Sequence, residues 1–197
     1  MARYLIGIDE VGRGSLAGPI TVGAMATKGK LNFLRGIKDS KKLSAKQREK
    51  WFSKIKEKQL KHRNFEVALA SVRASTIDKI GISAAARLAV GRCLKKLAIR
   101  RKPHAIILDG SLYAPRTYLN QTTIIKGDEK IPIIAAASII AKVTRDRKMV
   151  RLAKKYPKYW FDLHKGYGTI LHARLLRKFG RSPVHRRSFR TPAGPHT

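Results

Sequence analysis

The sequence predicts an α/β fold in which a mixed β-sheet carries helices on its faces. Three apolar strand-like runs follow one another in the first 72 residues and favour an antiparallel meander. After them, apolar runs alternate with helical patterns, as in sheets that contain parallel strands. The chain has 197 residues, 43 % of them hydrophobic, which is enough to bury the core of one domain with a small appendage.

The first half of the chain supplies the predicted meander. The first strand covers 4–8 and ends at Asp9, and the second covers 19–27 after a Gly-Pro turn. Ser44 is a suitable N-cap for a charged helix over 45–58. The third strand is predicted over 65–72, the FEVALASV segment.

The second half is predicted to alternate helices and strands. Its elements are a helix that Thr76 caps and that runs to about 98, strands over 104–109 and 122–128, and helices over 131–156 and 169–179. Pro132 near the start of the longest helix and Pro157 after its end are typical of helix boundaries. A basic tail follows the last helix.

The charge of the chain predicts a polyanionic partner. It holds 44 Lys+Arg against 12 Asp+Glu, a formal net charge of +32. Lysines and arginines that neutralise the phosphates of a nucleic acid release its bound counterions, which favours binding. A generally basic proteome is the alternative explanation. An anionic membrane surface ranks lower, because no basic amphipathic segment dominates. Cys93 is the single cysteine and is predicted to be a core residue. Because the sequence shows neither a signal peptide nor a long apolar run, we expect a cytoplasmic protein.

Acids are scarce, yet three of them end predicted strands. Asp9, Asp109 and Asp128 each follow an apolar run, and Glu10 comes directly after Asp9. If these strands are parallel neighbours, their carboxylates meet at one edge of the sheet, where hard oxygen ligands suit Mg²⁺ or Mn²⁺. The alternative for Asp109 is a turn former, and Asp128 can instead cap a helix or pair with Lys130. Adjacent side chains of a regular strand point to opposite faces, so Asp9 and Glu10 share a site only if the strand twists or ends there.

The Gly12-Arg13-Gly14 sequence that follows is suited to a ligand near the backbone. Two glycines allow close approach and positive φ, and Arg13 can contact a phosphate. The same tripeptide is also common in ordinary turns.

Seven motifs follow one another within 4–189: GIDEVGRGSLAGPI, DSKKLS, LDG, KGD, AAASIIAKVTRDR, HKGYGT and HRRSF. In their residues and their order they resemble the motifs of type 2 ribonuclease H, the bacterial ribonuclease HII family. The resemblance implies the ribonuclease H fold, a five-stranded mixed sheet flanked by helices with a helical C-terminal extension. It further implies a catalytic domain over 1–155 and an extension with a basic tail over 156–197, packed together as one functional unit.

The resemblance also implies an activity and a site. Members of this family cleave RNA in RNA–DNA hybrids and single ribonucleotides within duplex DNA, on the 5′ side, leaving a 3′-hydroxyl and a 5′-phosphate. Two Mg²⁺ or Mn²⁺ ions are expected on four acids: Asp9, Glu10, Asp109 and Asp128. The Gly12-Arg13-Gly14 backbone is expected to contact the ribose 2′-hydroxyl, the only group that separates RNA from DNA at one sugar. Tyr167 is expected to stack on the next sugar.

Other basic residues are candidates for contacts to nucleic acid. Further residues for phosphate contact or local support are Lys41, Lys42, Ser138 and Lys142, the last with a solvent-facing alternative. Asp146 is expected to pair with a neighbouring basic residue rather than to bind metal. Arg186 and Arg187 either contact the duplex backbone or belong to an ordinary basic tail.

Two other functions compete with the metal-dependent nuclease. A basic nucleic-acid-binding protein without catalysis explains the charge but not the acids at strand ends. Another phosphotransferase of the same fold, such as an integrase or a Holliday-junction nuclease, leaves the glycines and Tyr167 without a role. The discriminating feature is whether the carboxylates meet around one point. Nothing in the sequence requires an oligomer, so a monomer is expected.

Overall fold

The computed structural model describes residues 4–62, 65–97 and 105–190, which form a five-stranded mixed sheet with helices on both faces. The strands are β1 (Leu5–Val11), β2 (Ile20–Thr27), β3 (Phe65–Val72), β4 (Ala105–Asp109) and β5 (Gln121–Ile124). Their order in the sheet is β3-β2-β1-β4-β5. The first three strands are antiparallel neighbours, whereas β4 is parallel to β1 and β5 is parallel to β4. The predicted α/β class, the meander and the mixed sheet are confirmed.

Seven α-helices lie within the described residues. They are α1 (Ala45–Lys61), α2 (Ala74–Ile80), α3 (Ile82–Lys96), α4 (Gly127–Lys130), α5 (Pro132–Lys155), α6 (Phe161–His164) and α7 (Ile170–Phe179). Ser44 caps α1 as predicted, in a reciprocal pair of hydrogen bonds with Gln47. Pro132 is the first residue of α5, where its missing N–H removes no helical hydrogen bond. None of the helices in these ranges is long and apolar enough to span a membrane.

The two faces of the sheet carry different helices. Ile6 and Ile8 of β1 belong to the core cluster that contains the buried face of α3, whereas alternate positions face α5. At Gly7 a Cβ would lie 2.7 Å from Ile133 Cγ2 and 2.8 Å from the Ile133 carbonyl carbon. Glycine therefore allows α5 to pack directly on the strand that carries Asp9.

Two predicted boundaries are wrong. Thr76 does not cap a long helix but lies inside α2, and the predicted helix is divided at Gly81, which has φ +79° and ends α2 before α3 begins. The predicted end of that helix, near 98, lies outside the described residues. Asp128 does not end a strand, because β5 stops at Ile124 and Lys126 takes a left-handed conformation that leads into α4.

The region after α5 packs against the sheet domain. Tyr159, Phe161 and Leu176 form a buried cluster with Leu16 and Ala17 of the loop that follows β1. The extension thus contacts the loop that continues from the predicted glycine motif. The division into 1–155 and 156–197 stays a prediction, and 191–197 lie outside the described residues.

Candidate metal centre and nucleic-acid interface

Three carboxylates meet at the carboxyl edge of the parallel strands. Ile8 of β1 is level with Leu108 of β4, so the next residues, Asp9 and Asp109, lie side by side on the face towards α5. Asp128 joins them from α4. One oxygen from each of these three residues lies within 4.8 Å of the others. The sequence analysis predicted a metal site if these carboxylates meet at one edge of the sheet, and they do meet there.

The start of α4 fixes the second carboxylate. The backbone N–H groups of Gly127 and Asp128 donate to Asp109 Oδ1 over 2.7 and 3.3 Å. The turn between β5 and α4 therefore has two effects: it orients Asp109, and it brings Asp128 beside it. The side chain of Asp109 is therefore held in one orientation towards α4, which the turn-forming alternative does not require.

The three carboxylates repel one another in a partly buried place. Asp9 is 4 % exposed and Asp128 is 3 % exposed. Burial raises the pKa of Asp9 well above its usual value, and the charges of Glu10 and Asp109 raise it further. Burial also raises the pKa of Asp109, with a further contribution from the charge of Asp128. A cation bound among them would relieve both the burial of charge and the repulsion.

Two serines support Asp9 from the α5 side. The Ser138 hydroxyl hydrogen-bonds the Asp9 carboxylate, which lowers the pKa of Asp9 against the effect of burial. Ser138 Oγ also lies 2.9 Å from Ser40 Oγ, and the two hydroxyls share a hydrogen bond in which either can donate. Ser138 is thus placed for local support, one of its two predicted roles, and Ser40 is a contributor that the sequence analysis missed.

Both predicted lysines of the 3₁₀ turn over 40–42 lie near the acids of α4. Lys41 Nζ is 3.0 Å from Asp128 Oδ2, and Lys42 Nζ is 2.7 Å from Glu129 Oε2. Both lysine side chains are largely exposed. Their ammonium groups can therefore turn towards a phosphate near the carboxylates, and a phosphate contact stays a prediction.

Glu10 lies outside the group of three carboxylates. Its neighbours Ile6 and Ile8 point to the α3 face of β1, and Glu10 follows the same alternation because the strand continues to Val11. Its Oε1 accepts a hydrogen bond from Arg13 Nε over 3.0 Å. A role of Glu10 as a metal ligand stays a prediction.

A buried arginine supports the glycine motif from beneath. Gly12 has φ +88°, and its carbonyl accepts from Arg186 Nη2 over 2.6 Å. The same guanidinium donates to the carbonyls of Arg13 and Gly18 over 2.7 and 3.1 Å. Arg186 is fully buried, so both predicted roles, a duplex contact and an ordinary basic tail, are wrong for it. Arg187 is exposed, and its backbone N–H donates to Asp78.

A second buried arginine joins this loop to the extension. Arg145 of α5 donates to the carbonyls of Ala17, Pro19 and Lys165 over 3.2, 2.9 and 2.9 Å. Its guanidinium lies 5.4 Å from the centre of the Tyr167 ring. The loop after β1 and the segment that carries Tyr167 are therefore held by one cation, and sequence reasoning missed it because nothing local distinguishes this arginine.

Tyr167 is half-buried between α6 and α7, and two cations lie near its ring. Lys142 Nζ is 5.8 Å from the centre of its ring. Lys142 also pairs with Asp146 over 2.9 Å, and both side chains are about four-fifths buried. The predicted pairing of Asp146 is confirmed, and the solvent-facing alternative for Lys142 is wrong.

Cys93 has no part in this site. It is fully buried on the sheet side of α3, and burial raises the pKa of its thiol to about 12. The prediction of a core residue is confirmed.

Comparisons with known proteins agree with this geometry. The family model for ribonuclease HII matches residues 6–192. A ribonuclease HII of Caldicellulosiruptor bescii is 42 % identical over 187 residues, which cover 95 % of this chain and 86 % of the relative. Among solved structures, the ribonuclease HII of a PCNA complex from Archaeoglobus fulgidus has a TM-score of 0.74 at 27 % identity and 96 % coverage of each chain. The ribonuclease H2 of Pyrococcus horikoshii OT3 has a TM-score of 0.71 at 30 % identity, covering 95 % of this chain and 94 % of that one. The chain therefore belongs to the ribonuclease HII family.

Proposed function

We propose that this chain is a metal-dependent endoribonuclease that cleaves the RNA strand of RNA–DNA hybrids and single ribonucleotides within duplex DNA. The cut falls on the 5′ side of the ribonucleotide and leaves a 3′-hydroxyl and a 5′-phosphate. The observation that carries the proposal is the convergence of three carboxylates within 4.8 Å at one edge of the sheet. A non-catalytic nucleic-acid binder has no use for this costly arrangement, and membership of a ribonuclease family also speaks against it.

The ligand set fits Mg²⁺ or Mn²⁺. Asp9, Asp109 and Asp128 offer carboxylate oxygens only, which hard divalent cations prefer. The pKa of Asp9 and that of Asp109 are raised because burial and neighbouring carboxylates disfavour their negative charge, and a bound cation would compensate that charge. Two ions bound there would activate a water for in-line attack and stabilise the leaving oxygen.

Residues around the carboxylates are suited to hold the substrate. Lys41 and Lys42 can neutralise a phosphate beside the centre, with Lys142 closer to Tyr167. The backbone of Gly12 and Gly14 offers groups for a ribose 2′-hydroxyl, which is both donor and acceptor. A Tyr167 ring packed on the neighbouring deoxyribose leaves no room for an added oxygen there. Together these contacts would select a junction between a ribonucleotide and DNA.

The decisive experiment uses a DNA duplex with one ribonucleotide, with Mg²⁺ or Mn²⁺. We expect a cut 5′ to the ribonucleotide, none in an all-DNA duplex, and a fall of at least about 100-fold in rate for Asp9→Asn, since a preorganised charge at the reacting centre is lost. Glu57→Gln is the matched control, because Glu57 is an exposed carboxylate on α1 that pairs with Lys61. Tight binding without a cut under either metal would contradict the proposal.

The net charge of +32 also suggests strong, salt-sensitive and weakly selective duplex binding. The logarithm of the association constant should fall with the logarithm of the salt concentration by about 0.9 for each phosphate that is neutralised. Titration of a labelled duplex at several salt concentrations measures this slope, and a flat dependence would contradict the expectation. A monomeric state and a cytoplasmic location stay predictions.

A further inference from the structure

Three of the six histidines of the chain lie in one buried cluster that contacts the backbone at Tyr167. The rings of His164 and His172 are stacked, with centroids 4.2 Å apart and planes 17° from parallel. His172 Nε2 is 3.0 Å from His185 Nε2. The cluster is not part of the candidate metal centre, so its tight arrangement requires another explanation.

Backbone partners fix the tautomers of the first two rings. The N–H of Gly166 donates to His164 Nδ1 over 3.1 Å, so the proton of His164 is on Nε2, which donates to the Tyr159 carbonyl over 2.8 Å. His172 Nδ1 is 2.9 Å from the carbonyl oxygen of Tyr167. A carbonyl only accepts, so His172 Nδ1 carries the proton and its Nε2 is an acceptor.

The third ring completes a chain of donors and acceptors. The backbone N–H and the hydroxyl of Ser182 lie 2.9 and 2.7 Å from His185 Nδ1, which is therefore an acceptor. His185 must then carry its proton on Nε2 and donate it to His172 Nε2. Each ring is neutral and has one allowed tautomer. A further proton on His172 Nε2 would place two N–H groups against each other. A further proton on His185 Nδ1 would displace the N–H and the hydroxyl of Ser182.

The surroundings keep the rings uncharged. Burial lowers the pKa of all three histidines, and that of His172 and His185 falls to about 4. Asp162 partly opposes this at His164, whereas Lys165 and Arg181 add to it. The rings of Phe161 and Tyr159 pack against the cluster and exclude water.

We propose that this neutral histidine cluster is a positioning device for Tyr167. His172 Nδ1–H donates to the carbonyl of Tyr167, and His164 Nδ1 accepts from the N–H of Gly166. The N–H of Tyr167 itself donates to the His164 carbonyl over 3.0 Å, so the backbone is fixed on both sides of the Tyr167 α-carbon. The proposal rests on the proposed contact of Tyr167 with the substrate sugar. The three histidines themselves do not contact the substrate.

The first test is the tautomer of each histidine in the unaltered protein. In ¹⁵N NMR spectra at pH 7 we expect His172 in the Nδ1–H form, and His164 and His185 in the Nε2–H form. This measurement needs no substrate and no metal. A His172 ring that is doubly protonated, or protonated on Nε2 alone, would overturn the proposal.

The second test compares two substitutions of similar size. The side-chain amide of His172→Asn lies near the position of Nδ1 and can donate to the Tyr167 carbonyl, whereas His172→Gln reaches towards His185 instead. Because a displacement of about 1 Å near a reacting group can lower a rate by about 100-fold, we expect kcat/KM on a single-ribonucleotide duplex to fall about 10- to 100-fold for Gln. The Asn variant should stay within about 5-fold of the unaltered protein, and the reverse order would refute the proposal.

A double-mutant cycle separates positioning from general stability. In a Tyr167→Ala background, His172→Gln should cause little further loss of kcat/KM, because the residue that it positions is absent. Fully additive losses would overturn the proposal. If the unaltered protein does not cleave at all, the proposed function fails, and the NMR result still decides whether the histidines hold Tyr167. The same spectra decide the matter if a variant does not fold.

Discussion

Replacement of Gly12 by alanine tests how tightly the predicted ribose-sensing loop is built. Gly12 has φ +88°, where a side chain costs about 1–2 kcal/mol. The new Cβ would also lie 2.8 Å from Cδ and Cζ of Arg145, and closer still to Nε. That guanidinium is held by three backbone carbonyls. Moving it would break one or two hydrogen bonds of a charged group, at about 1.5–3 kcal/mol each.

The expected loss for Gly12→Ala is therefore about 2.5–8 kcal/mol, a large part of the 5–15 kcal/mol that is typical of a domain. Denaturant unfolding followed by circular dichroism measures it. Gly14→Ala is the matched control, because nothing lies within 4 Å of a Cβ at Gly14 and its φ is not positive. We expect that control to change the free energy of unfolding by less than about 1 kcal/mol. Equal stabilities of the two variants would refute the reasoning.

Three further predictions follow from buried groups. Because His172 and His185 have a pKa of about 4 in the fold, the unfolded chain binds more protons below about pH 6.5, and stability should fall by about 2 kcal/mol for each ring between pH 7 and pH 5. Denaturant titrations at both pH values measure this, and a His172→Gln variant with an undiminished pH dependence would contradict it. Cys93, buried with a pKa of about 12, should react with a thiol reagent at pH 8 only after denaturant is added, and rapid labelling of the native protein would disagree. Arg186→Lys should lower the free energy of unfolding by about 2–4 kcal/mol, because one ammonium cannot replace a guanidinium that donates to three carbonyls. Its exposed neighbour provides the control: Arg187→Lys should change the free energy of unfolding by less than about 0.5 kcal/mol.

Local sequence was sufficient for most of the sheet and the long helices. Apolar runs and a capping serine are short-range signals, and they placed β2, β3 and the start of α1 close to their observed bounds, whereas β1 continues past its predicted end to Val11. The errors arose where one residue redirects the backbone. Gly81 takes a positive φ inside a continuous helical pattern, and Lys126 adopts a left-handed conformation after an apolar run. Such conformations depend on tertiary contacts more than on composition.

The parts of the candidate site that follow from strand order could be predicted from the sequence. The parts that depend on contacts between distant residues could not. Once β1 and β4 are parallel neighbours, Asp9 and Asp109 must lie together, and this follows from the pattern of strands. Arg186 contacts Gly12, which lies 174 positions earlier, and no local signal separates it from the other basic residues among 44. The histidines are closer in sequence, with His172 and His185 13 positions apart, but their ring contacts also depend on the fold.

The distribution of ion pairs gives a second, independent argument for a cation site. Within the described part of the chain, six carboxylates have a lysine or arginine nitrogen within 4 Å: those of Glu10, Glu49, Glu57, Asp128, Asp146 and Glu129. In the same ranges neither Asp9 nor Asp109 has such a partner, although the pKa of each is raised by burial and by a neighbouring carboxylate. A chain with 44 basic residues has ample means to neutralise them. Two adjacent, partly buried carboxylates that lack an ion pair in so basic a protein therefore support the metal site that we propose.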